Sequence, residues 1–408
     1  MIGGLARSTK RSSIEAAMEH GQGILRLAPT WVPRSFCVPG RRIKLHPDDY
    51  FALGGERGGI DERWFSSAIR ADNGPLTGPD EGLSIVVGPS GEGLPFDEVV
   101  GQLGADLIGE RLWVKYGAWT MYSKFFDNEG PLPFHVHQTD EMAQLVGRRG
   151  KPEAYYFPPQ VNNHLGTAPF TFFGLAPGTA KEELKKRLTG FGHEGDKRIT
   201  ELSLAYRIKL GTGWDVPAGV LHAPASLCTY EPQVASDVFA MCESWTSCRT
   251  LSEELLWKDV PTEHRGDLDF IISSLDWDKN TDPDFFRSRF SPPVACTSAP
   301  EGCQENWVAY RSRAFSAKEL TVLPGHSAVV SDSACYGCIV VQGRGRLGRW
   351  AVESPTLIRF GQLTSDEFFV SEAAARSGVL VTNTSETEPL VMLKHFGPDN
   401  PDNVLVTT

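Results

Sequence analysis

Glycine and proline divide this chain of 408 residues into many short runs. The sequence contains 41 glycines and 28 prolines. The runs between them are rich in valine, isoleucine, threonine and aromatic residues. Short runs of this composition, bounded by turn residues, are typical of β-strands. The pattern therefore predicts a mainly β fold.

Strand candidates recur along the chain and helix candidates are few. Three segments have a helical pattern, and the third, at 179–191, has Thr179 in the position of a side-chain cap with acidic residues following in the first turn. The other two helical segments are 12–25 and 95–109. The strand candidates are 111–126, 153–157, 204–210, 236–245, 338–348 and 377–385.

The length predicts more than one domain, since a domain usually has about 100–200 residues. Composition shifts towards proline, serine and threonine after a charged helical stretch, and a β pattern then starts again. Both halves contain a series of strands punctuated by glycine, which favours a structural repeat. The predicted division is an N-terminal helical extension (1–25), a first barrel with a helical insertion (26–250), a helical and proline-rich connection (251–306) and a second barrel (307–408).

Charge and composition exclude several classes of protein. A formal charge of −11 argues against a nucleic-acid partner, because phosphate binding needs clustered lysine and arginine. No apolar run approaches the length of a membrane span, and no secretory signal follows the basic N-terminus, so we expect a cytoplasmic protein. The sequence carries no signal for an oligomeric state.

The eight cysteines are too dilute for a disulfide scaffold. Two pairs, Cys296 with Cys303 and Cys335 with Cys338, contain enough thiolates for a zinc site. The second pair lies in an apolar strand candidate, where cysteine behaves as a small hydrophobic residue. Core packing is therefore the favoured role.

One short stretch, PFHVHQTDE, has two histidines one residue apart. Side chains at i and i+2 of a strand face the same way, so His135 and His137 present two imidazoles on one face. Glu153 follows a turn and begins the next strand candidate, and His222 follows the Pro-Ala-Gly turn of GTGWDVPAGVLHAP. Three nitrogens and one oxygen suit Zn²⁺, Fe²⁺, Mn²⁺, Co²⁺ or Ni²⁺ and leave room for substrate oxygens. The sequence therefore predicts one catalytic divalent metal ion.

Several motifs in one order resemble those of a known family. TMYSKFFDNEGPLPFHVHQTDE, the following GKPE turn, TAKEELKKRLTGF, the PAG turn with its histidine, and YEPQVASDVF are similar to segments of cupins, and among them of type I phosphomannose isomerases. The resemblance covers most of residues 25–245. It implies two jelly-roll barrels, the first of which holds the metal and the second of which has no metal ligands. It also implies zinc as the expected ion, and a sugar or sugar phosphate that is interconverted between aldose and ketose.

The resemblance also assigns roles to residues. His137, Glu153 and His222 match the family's metal ligands, while His135 stands where the family usually has glutamine. The resemblance further implies catalytic roles for Lys151 and Glu231. Isomerisation moves a proton between C1 and C2 of the sugar, which needs a base and positive charge near the developing oxyanion.

One position departs from the family. Met241 stands where these isomerases have an arginine, and Arg207, Arg148 or Arg149 are the residues that the sequence offers as a replacement charge. Because that arginine is missing, a non-phosphorylated sugar stays open as an alternative substrate. Two other functions also stay open. The same ligand set is used by non-haem iron dioxygenases of this fold, and a sugar-binding protein without turnover would also fit.

Overall fold

The computed structural model describes residues 5–162, 166 and 168–406, and it confirms that the chain is mainly β. The helices are short, and no helix in these ranges has the length and apolar character needed to cross a membrane. The α-helices span Arg11–Gly21, Phe96–Leu103, Ala105–Ile108, Glu110–Tyr116, Asp140–Gln144, Lys181–Leu188, Leu268–Ser273, Trp277–Asn280, Phe285–Arg289 and Glu372–Ser377. Single 3₁₀ turns span Pro47–Asp49, Gly55–Arg57, Ile199–Leu202, Glu253–Leu255 and Thr262–His264.

Two sheets position the four predicted metal ligands. The seven-stranded sheet has the order Phe290–Ser291, Gly213–Val216, Glu153–Tyr156, Thr229–Val234, Met121–Phe126, Ile60–Phe65 and Thr30–Pro33. The five-stranded sheet has the order Leu204–Arg207, Phe170–Phe173, Leu221–Ala223, His135–Val136 and Ala240–Met241. Both sheets are buried apart from Phe290–Ser291 in the first and Leu204–Arg207 and Phe170–Phe173 in the second, which are partly exposed.

Three further sheets complete the strand inventory of the described residues. The ten-stranded sheet has the order Ala6–Arg7, Glu92–Pro95, Ile85–Val87, Ile24–Ala28, Glu367–Val370, Tyr336–Gln342, Leu390–Phe396, Ser316–Val322, Cys303–Ala309 and Val294–Ala295. The four-stranded sheet has the order Ser327–Val330, Val379–Asn383, Arg344–Leu347 and Trp350–Glu353. A two-stranded hairpin joins Trp245–Thr246 to Arg249–Thr250.

The N-terminal segment pairs with the C-terminal part of the chain. Ile24–Ala28 lies antiparallel to Glu367–Val370, so the predicted boundary at residue 25 falls inside a strand of the ten-stranded sheet. A continuous apolar core that includes Phe125 and Leu393 lies between this sheet and the seven-stranded sheet. Burial of that core holds the two sheets together, because apolar area removed from water is the main favourable contribution to folding.

The strand predicted over 111–126 is right only in its second half. Residues Glu110–Tyr116 form a helix, and the strand begins at Met121. Gly109 and Gly117 bracket the helix with φ of 85° and 60°, in the left-handed region where glycine is not strained. The run of apolar residues in RLWVKY is compatible with either structure, and the flanking glycines decide for the helix.

The helix predicted at 179–191 is present but shorter, and its predicted cap is wrong. It spans Lys181–Leu188 and follows Ala180, whose side chain caps nothing. The Thr179 hydroxyl instead donates to the carbonyl oxygen of Ala176, at 2.7 Å. Threonine hydroxyls often bond to a nearby backbone carbonyl in a turn, and here that bond replaces the cap.

Four buried charges form a closed network at the inner face of the ten-stranded sheet. Lys318 and Lys394 are opposite each other on neighbouring strands, and their ammonium groups each lie 2.7 Å from an oxygen of Asp332. Glu305 completes the network by pairing with both lysines. The group is neutral overall, which lowers the cost of burying these charges.

Replacing Lys394 by methionine is expected to destabilise the protein by about 3 kcal/mol. The substitution leaves two buried carboxylates with one lysine, and removal of one partner from a buried ion pair costs roughly 3–5 kcal/mol. Denaturant unfolding followed by circular dichroism measures the change. The exposed Lys181, replaced in the same way, is the control; equal unfolding free energies for the two variants would contradict the prediction.

Candidate metal centre

Strand pairing brings the three predicted histidines together. His135 and His222 are directly opposite each other on neighbouring strands of the five-stranded sheet. His137 follows the first of these strands, and its carbonyl oxygen accepts the N–H of Gly219 from the Pro-Ala-Gly turn, at 2.8 Å. One ring nitrogen from each histidine lies within 4.8 Å of the others, and all three side chains are buried.

Each imidazole is oriented by a backbone carbonyl. The Nδ1 atoms of His135, His137 and His222 lie 2.7, 2.7 and 2.8 Å from the carbonyl oxygens of Pro133, Val238 and Val220 respectively. A carbonyl oxygen only accepts hydrogen bonds, so each Nδ1 carries the proton. Each Nε2 is then unprotonated, which is the state that binds a metal ion.

Glu153 faces these histidines from the seven-stranded sheet. Its two carboxylate oxygens lie 3.0 Å from His137 Nε2 and 3.1 Å from His222 Nε2. Its strand is paired with Gly213–Val216 on one side and with Thr229–Val234 on the other, and its side chain is fully buried. The carboxylate therefore completes the predicted set of three nitrogens and one oxygen.

This set of atoms fits a divalent cation. Both oxygens of Glu153 and Nε2 of His222 are buried and have no hydrogen-bond partner among the described residues. A lone pair that faces a buried carboxylate oxygen is unfavourable unless a cation lies between them. Ligands at tetrahedral zinc are about 3.3 Å apart, from a Zn–N distance of roughly 2.0–2.1 Å. The observed spacings of 3.0 and 3.1 Å are close to this value.

The protonation states also match those of metal ligands. Burial, and then the nearby His222, holds the pKa of His135 well below its ordinary value, and burial together with Lys151 lowers the pKa of His137 to about 3. Burial opposes ionisation of Glu153, but Lys151 and then His137 outweigh it and hold the pKa of this carboxyl well below its usual range. Neutral imidazoles and an ionised carboxylate are the forms that bind divalent metals.

A small pocket adjoins the histidines, and ionisable side chains make up much of its wall. Lys151 Nζ lies 3.0 Å from His137 Nε2 and 3.6 Å from Glu231 Oε1. Lys124, opposite Glu231 on the neighbouring strand, lies 3.3 Å from the same oxygen. The charged residues that line the pocket are Arg34, Glu62, Lys124, Lys151, Glu231 and Asp237.

Glu231 is a buried carboxyl group between two lysines. Burial, and then the charge of Glu153, raises the pKa of Glu231 to about 8, while Lys124 and Lys151 act in the opposite direction. Buried carboxyl groups with a raised pKa are common among catalytic acids and bases. The structure thus brings Lys151 and Glu231 into one pocket with two of the predicted ligands, His135 and His137.

Arg34 is the fixed guanidinium of this pocket, and the sequence did not identify it. Met241 contributes an apolar wall beside His135, to which it is paired across the five-stranded sheet. Arg34 enters from the loop after Thr30–Pro33 and is bonded to Asp237 through two nitrogens, at 2.9 and 3.2 Å. The only signal for it in the sequence was the position of an arginine directly after a short apolar strand.

The arginines that the sequence offered as substitutes lie elsewhere. Arg207 is exposed on the edge strand of the five-stranded sheet and is not among the described residues that line the pocket. Arg148 and Arg149 are also exposed, and Arg148 pairs with Asp72 at 2.8 Å. That one of these arginines contributes positive charge to the pocket stays a prediction.

Lys124 and Glu62 are also pocket residues that the sequence did not single out. Lys124 is the one charged residue of the buried strand MYSKFF, Glu62 is one of three in the buried strand IDERWF, and the two pair at 2.9 Å. Charged residues on a fully buried strand are rare unless they are paired, so these two positions carried a usable signal.

No cysteine belongs to the cluster of potential metal ligands among the described residues. Cys335 and Cys338 are buried, and all eight cysteines are free thiols. Within the described ranges, the three histidines are the one cluster of three or more potential ligands that the geometry brings together. This agrees with a packing role for the buried cysteines.

The chain shares its fold with solved mannose 6-phosphate isomerases. It aligns with the mannose 6-phosphate isomerase from Bacillus subtilis at a TM-score of 0.58 and 17% identity, over 92% of this chain and 99% of that one. A variant of the phosphomannose isomerase from Salmonella typhimurium aligns at a TM-score of 0.60 and 10% identity, over 92% and 100% of the two chains. A zinc-bound mannose 6-phosphate isomerase gives the same values. No protein-family model and no curated protein sequence matches the chain.

Proposed function

We propose that the chain is a metal-dependent aldose–ketose isomerase in which His135, His137, Glu153 and His222 hold one divalent ion. The observation that supports this most directly is the pocket itself. Two of the four converging ligands, His135 and His137, line it together with Lys124, Lys151 and Glu231, and the pKa of Glu231 is about 8. Zinc is the expected ion, because the ligand set suits it and a structural neighbour is described as zinc-bound.

The proposed division of labour follows from the positions of the side chains. When bound, the ion would supply Lewis-acid stabilisation of negative charge that develops on sugar oxygens. Glu231, whose buried Oε1 atom has no hydrogen-bond partner among the described residues, is the candidate that moves a proton between C1 and C2. Lys151 and Lys124 each lie within 3.6 Å of that oxygen and would hold its charged form. Lys151 also contributes positive charge beside the reacting atoms.

The charges of the pocket favour a sugar without a phosphate group. Arg34 is paired with Asp237 and Glu62, Lys124 with Glu62 and Glu231, and Lys151 with Glu153 and Glu231. Each cation of the pocket therefore already has carboxylate partners. A phosphate would have to compete with these buried pairs, so we propose a free aldose or ketose as the substrate.

We also propose how the sheets divide between the two predicted barrels. We propose that the seven- and five-stranded sheets form the metal-binding barrel, and that the four-stranded sheet and the C-terminal strands of the ten-stranded sheet form the second. The buried lysines and carboxylates of the network around Asp332 are paired with one another. This supports a second barrel that binds no metal ion.

Elemental analysis followed by a substrate screen tests the proposal. We expect about one divalent ion per chain after dialysis, and interconversion of an aldose and its ketose in a panel of free and phosphorylated sugars. Deuterium from solvent should enter C2 of the sugar. Oxygen uptake with Fe²⁺ in the absence of any sugar turnover would instead identify a dioxygenase, and a sugar that binds without exchange would identify a binding protein.

The pH dependence of the reaction should report Glu231. As the proton acceptor it must be ionised, so kcat/KM should rise about tenfold per pH unit on the acid side and level off at or below pH 8. A cation bound to Glu153 offsets the negative charge that raises this pKa. The acid limb of the profile, where kcat/KM rises with pH, should therefore move to lower pH when metal is bound. Steady-state kinetics from pH 5 to 9 measure the limb. A limb that persists in Glu231→Gln would contradict the assignment.

A further inference from the structure

A three-residue segment of the chain orients one of the proposed metal ligands. The segment 237–239 follows the strand Thr229–Val234, and its central carbonyl, that of Val238, accepts the Nδ1–H of His137 at 2.7 Å. This hydrogen bond joins residues that are 101 positions apart in the sequence. The position of the segment therefore determines where the Nε2 lone pair of His137 points.

Arg34 holds this segment from one side. Its Nη2 and Nη1 atoms donate to the two carboxylate oxygens of Asp237 at 2.9 and 3.2 Å, and its Nε donates to Glu62 at 3.1 Å. A further bond from Nη1 reaches Asn73, at 2.7 Å. The side chain is only 3% exposed, and every nitrogen of the guanidinium has a partner within the protein. Four of its five N–H groups are thus bonded to protein acceptors.

The residues 258–259 hold the same segment from the other side. Lys258 donates to the carbonyl oxygen of Asp237 at 3.1 Å, and Asp259 accepts the backbone N–H of Phe239 at 2.9 Å. The carbonyl of Val238 lies between these two anchored positions. Both flanks of the segment are therefore fixed by charge-assisted hydrogen bonds, which are shorter and stronger than neutral ones.

On the premise of the metal centre proposed above, we propose that Arg34 is a positioning residue that sets metal affinity through Asp237, the Val238 carbonyl and His137. Groups that orient a metal-bound histidine through its second nitrogen affect affinity by about 10- to 100-fold. The planar guanidinium fork holds a carboxylate in one orientation, which a lysine ammonium does not do. The ionic state of Asp237 supports the same link, since burial opposes its charge but Arg34 holds its pKa far below the ordinary value.

The experiment compares the metal affinity of the full-length wild type with that of Arg34→Gln. Competition with a chromophoric chelator gives the dissociation constant for Zn²⁺, and the visible absorption of the Co²⁺-loaded protein reports the ligand geometry. We expect Arg34→Gln to bind Zn²⁺ about 10- to 100-fold more weakly and to change the Co²⁺ spectrum. Arg34→Lys retains the charge without the planar fork, so its Zn²⁺ affinity should lie between those of the wild type and Arg34→Gln. It also provides a second variant if Arg34→Gln does not fold.

A matched control separates positioning from general loss of stability. Arg63 makes the same two-nitrogen contact with Asp366, at 2.8 and 2.9 Å, and is equally buried, but it joins the seven-stranded sheet to the ten-stranded sheet. We expect Arg63→Gln to lower the unfolding temperature while leaving the Zn²⁺ dissociation constant and the Co²⁺ spectrum unchanged.

The outcomes distinguish this inference from the proposed function. If the wild type binds Zn²⁺ and Arg34→Gln binds it with equal affinity and an unchanged Co²⁺ spectrum, only the role of Arg34 is overturned and the metal centre stands. Equal losses of affinity in Arg34→Gln and Arg63→Gln would also overturn it, since the effect would then be one of stability. A wild-type protein that binds neither metal would overturn the metal centre itself.

Discussion

Replacement of His222 by alanine is expected to abolish the metal site and with it all measurable turnover. The imidazole is 1% exposed and its Nε2 atom faces a carboxylate oxygen of Glu153 at 3.1 Å. Loss of an orienting group beyond the ligands already costs about 10- to 100-fold in affinity, so loss of a ligand should cost at least about 100-fold. Elemental analysis after dialysis and an activity assay on the sugar that the wild type converts measure the two effects.

The control for this prediction is a histidine outside the site. His193 is 75% exposed and contacts Glu253 at the protein surface. His193→Ala should retain one ion per chain and wild-type activity. Full metal content and turnover in His222→Ala would show that the converging ligands do not form the catalytic centre.

Replacement of Glu231 by glutamine is expected to lower kcat by about 10²- to 10⁴-fold, the usual contribution of a general acid or base. The amide is nearly the same size and keeps the packing of the strand, but it cannot accept the proton. Metal content should not change, because the side chain is not one of the proposed ligands. Rapid-quench or steady-state kinetics at saturating sugar measure kcat directly, which separates this effect from substrate binding.

Glu319→Gln is the matched control for that variant. Glu319 is a half-buried carboxyl of the ten-stranded sheet, where it accepts a hydrogen bond from Tyr156 at 2.9 Å, and burial also raises its pKa. The Glu319→Gln substitution should leave kcat unchanged. A Glu231→Gln variant with wild-type kcat would transfer the role of proton acceptor to another group, and Lys151 would be the next residue to test.

The candidate ligands could be identified from the sequence because they depend on local spacing. Alternation along a strand puts His135 and His137 on one face whatever the rest of the fold does. The Pro-Ala-Gly turn before His222 and the turn before Glu153 likewise appear in the sequence as short, contiguous signals. The structure brings these four side chains together, as that spacing predicts.

Prediction was weaker where a short run is compatible with two structures. The apolar residues in RLWVKY read equally well as strand or helix, and glycines on both sides, at positions 109 and 117, allow a helix of seven residues. Thr179 is a residue type that caps helices, but its hydroxyl donates a hydrogen bond to the carbonyl oxygen of Ala176 instead. In both cases local competition between similar free energies, rather than the pattern, decides the outcome.

The amino-acid order by itself determined the mainly β character and the candidate ligands, because strand alternation and turn chemistry act over a few residues. Only the tertiary structure decided what surrounds those ligands. Arg34 reaches Asp237 across 203 positions of sequence, and His137 reaches the Val238 carbonyl across 101. Contacts of this kind depend on which strands pair and which sheets face each other, and no local pattern encodes the partner of a single buried charge.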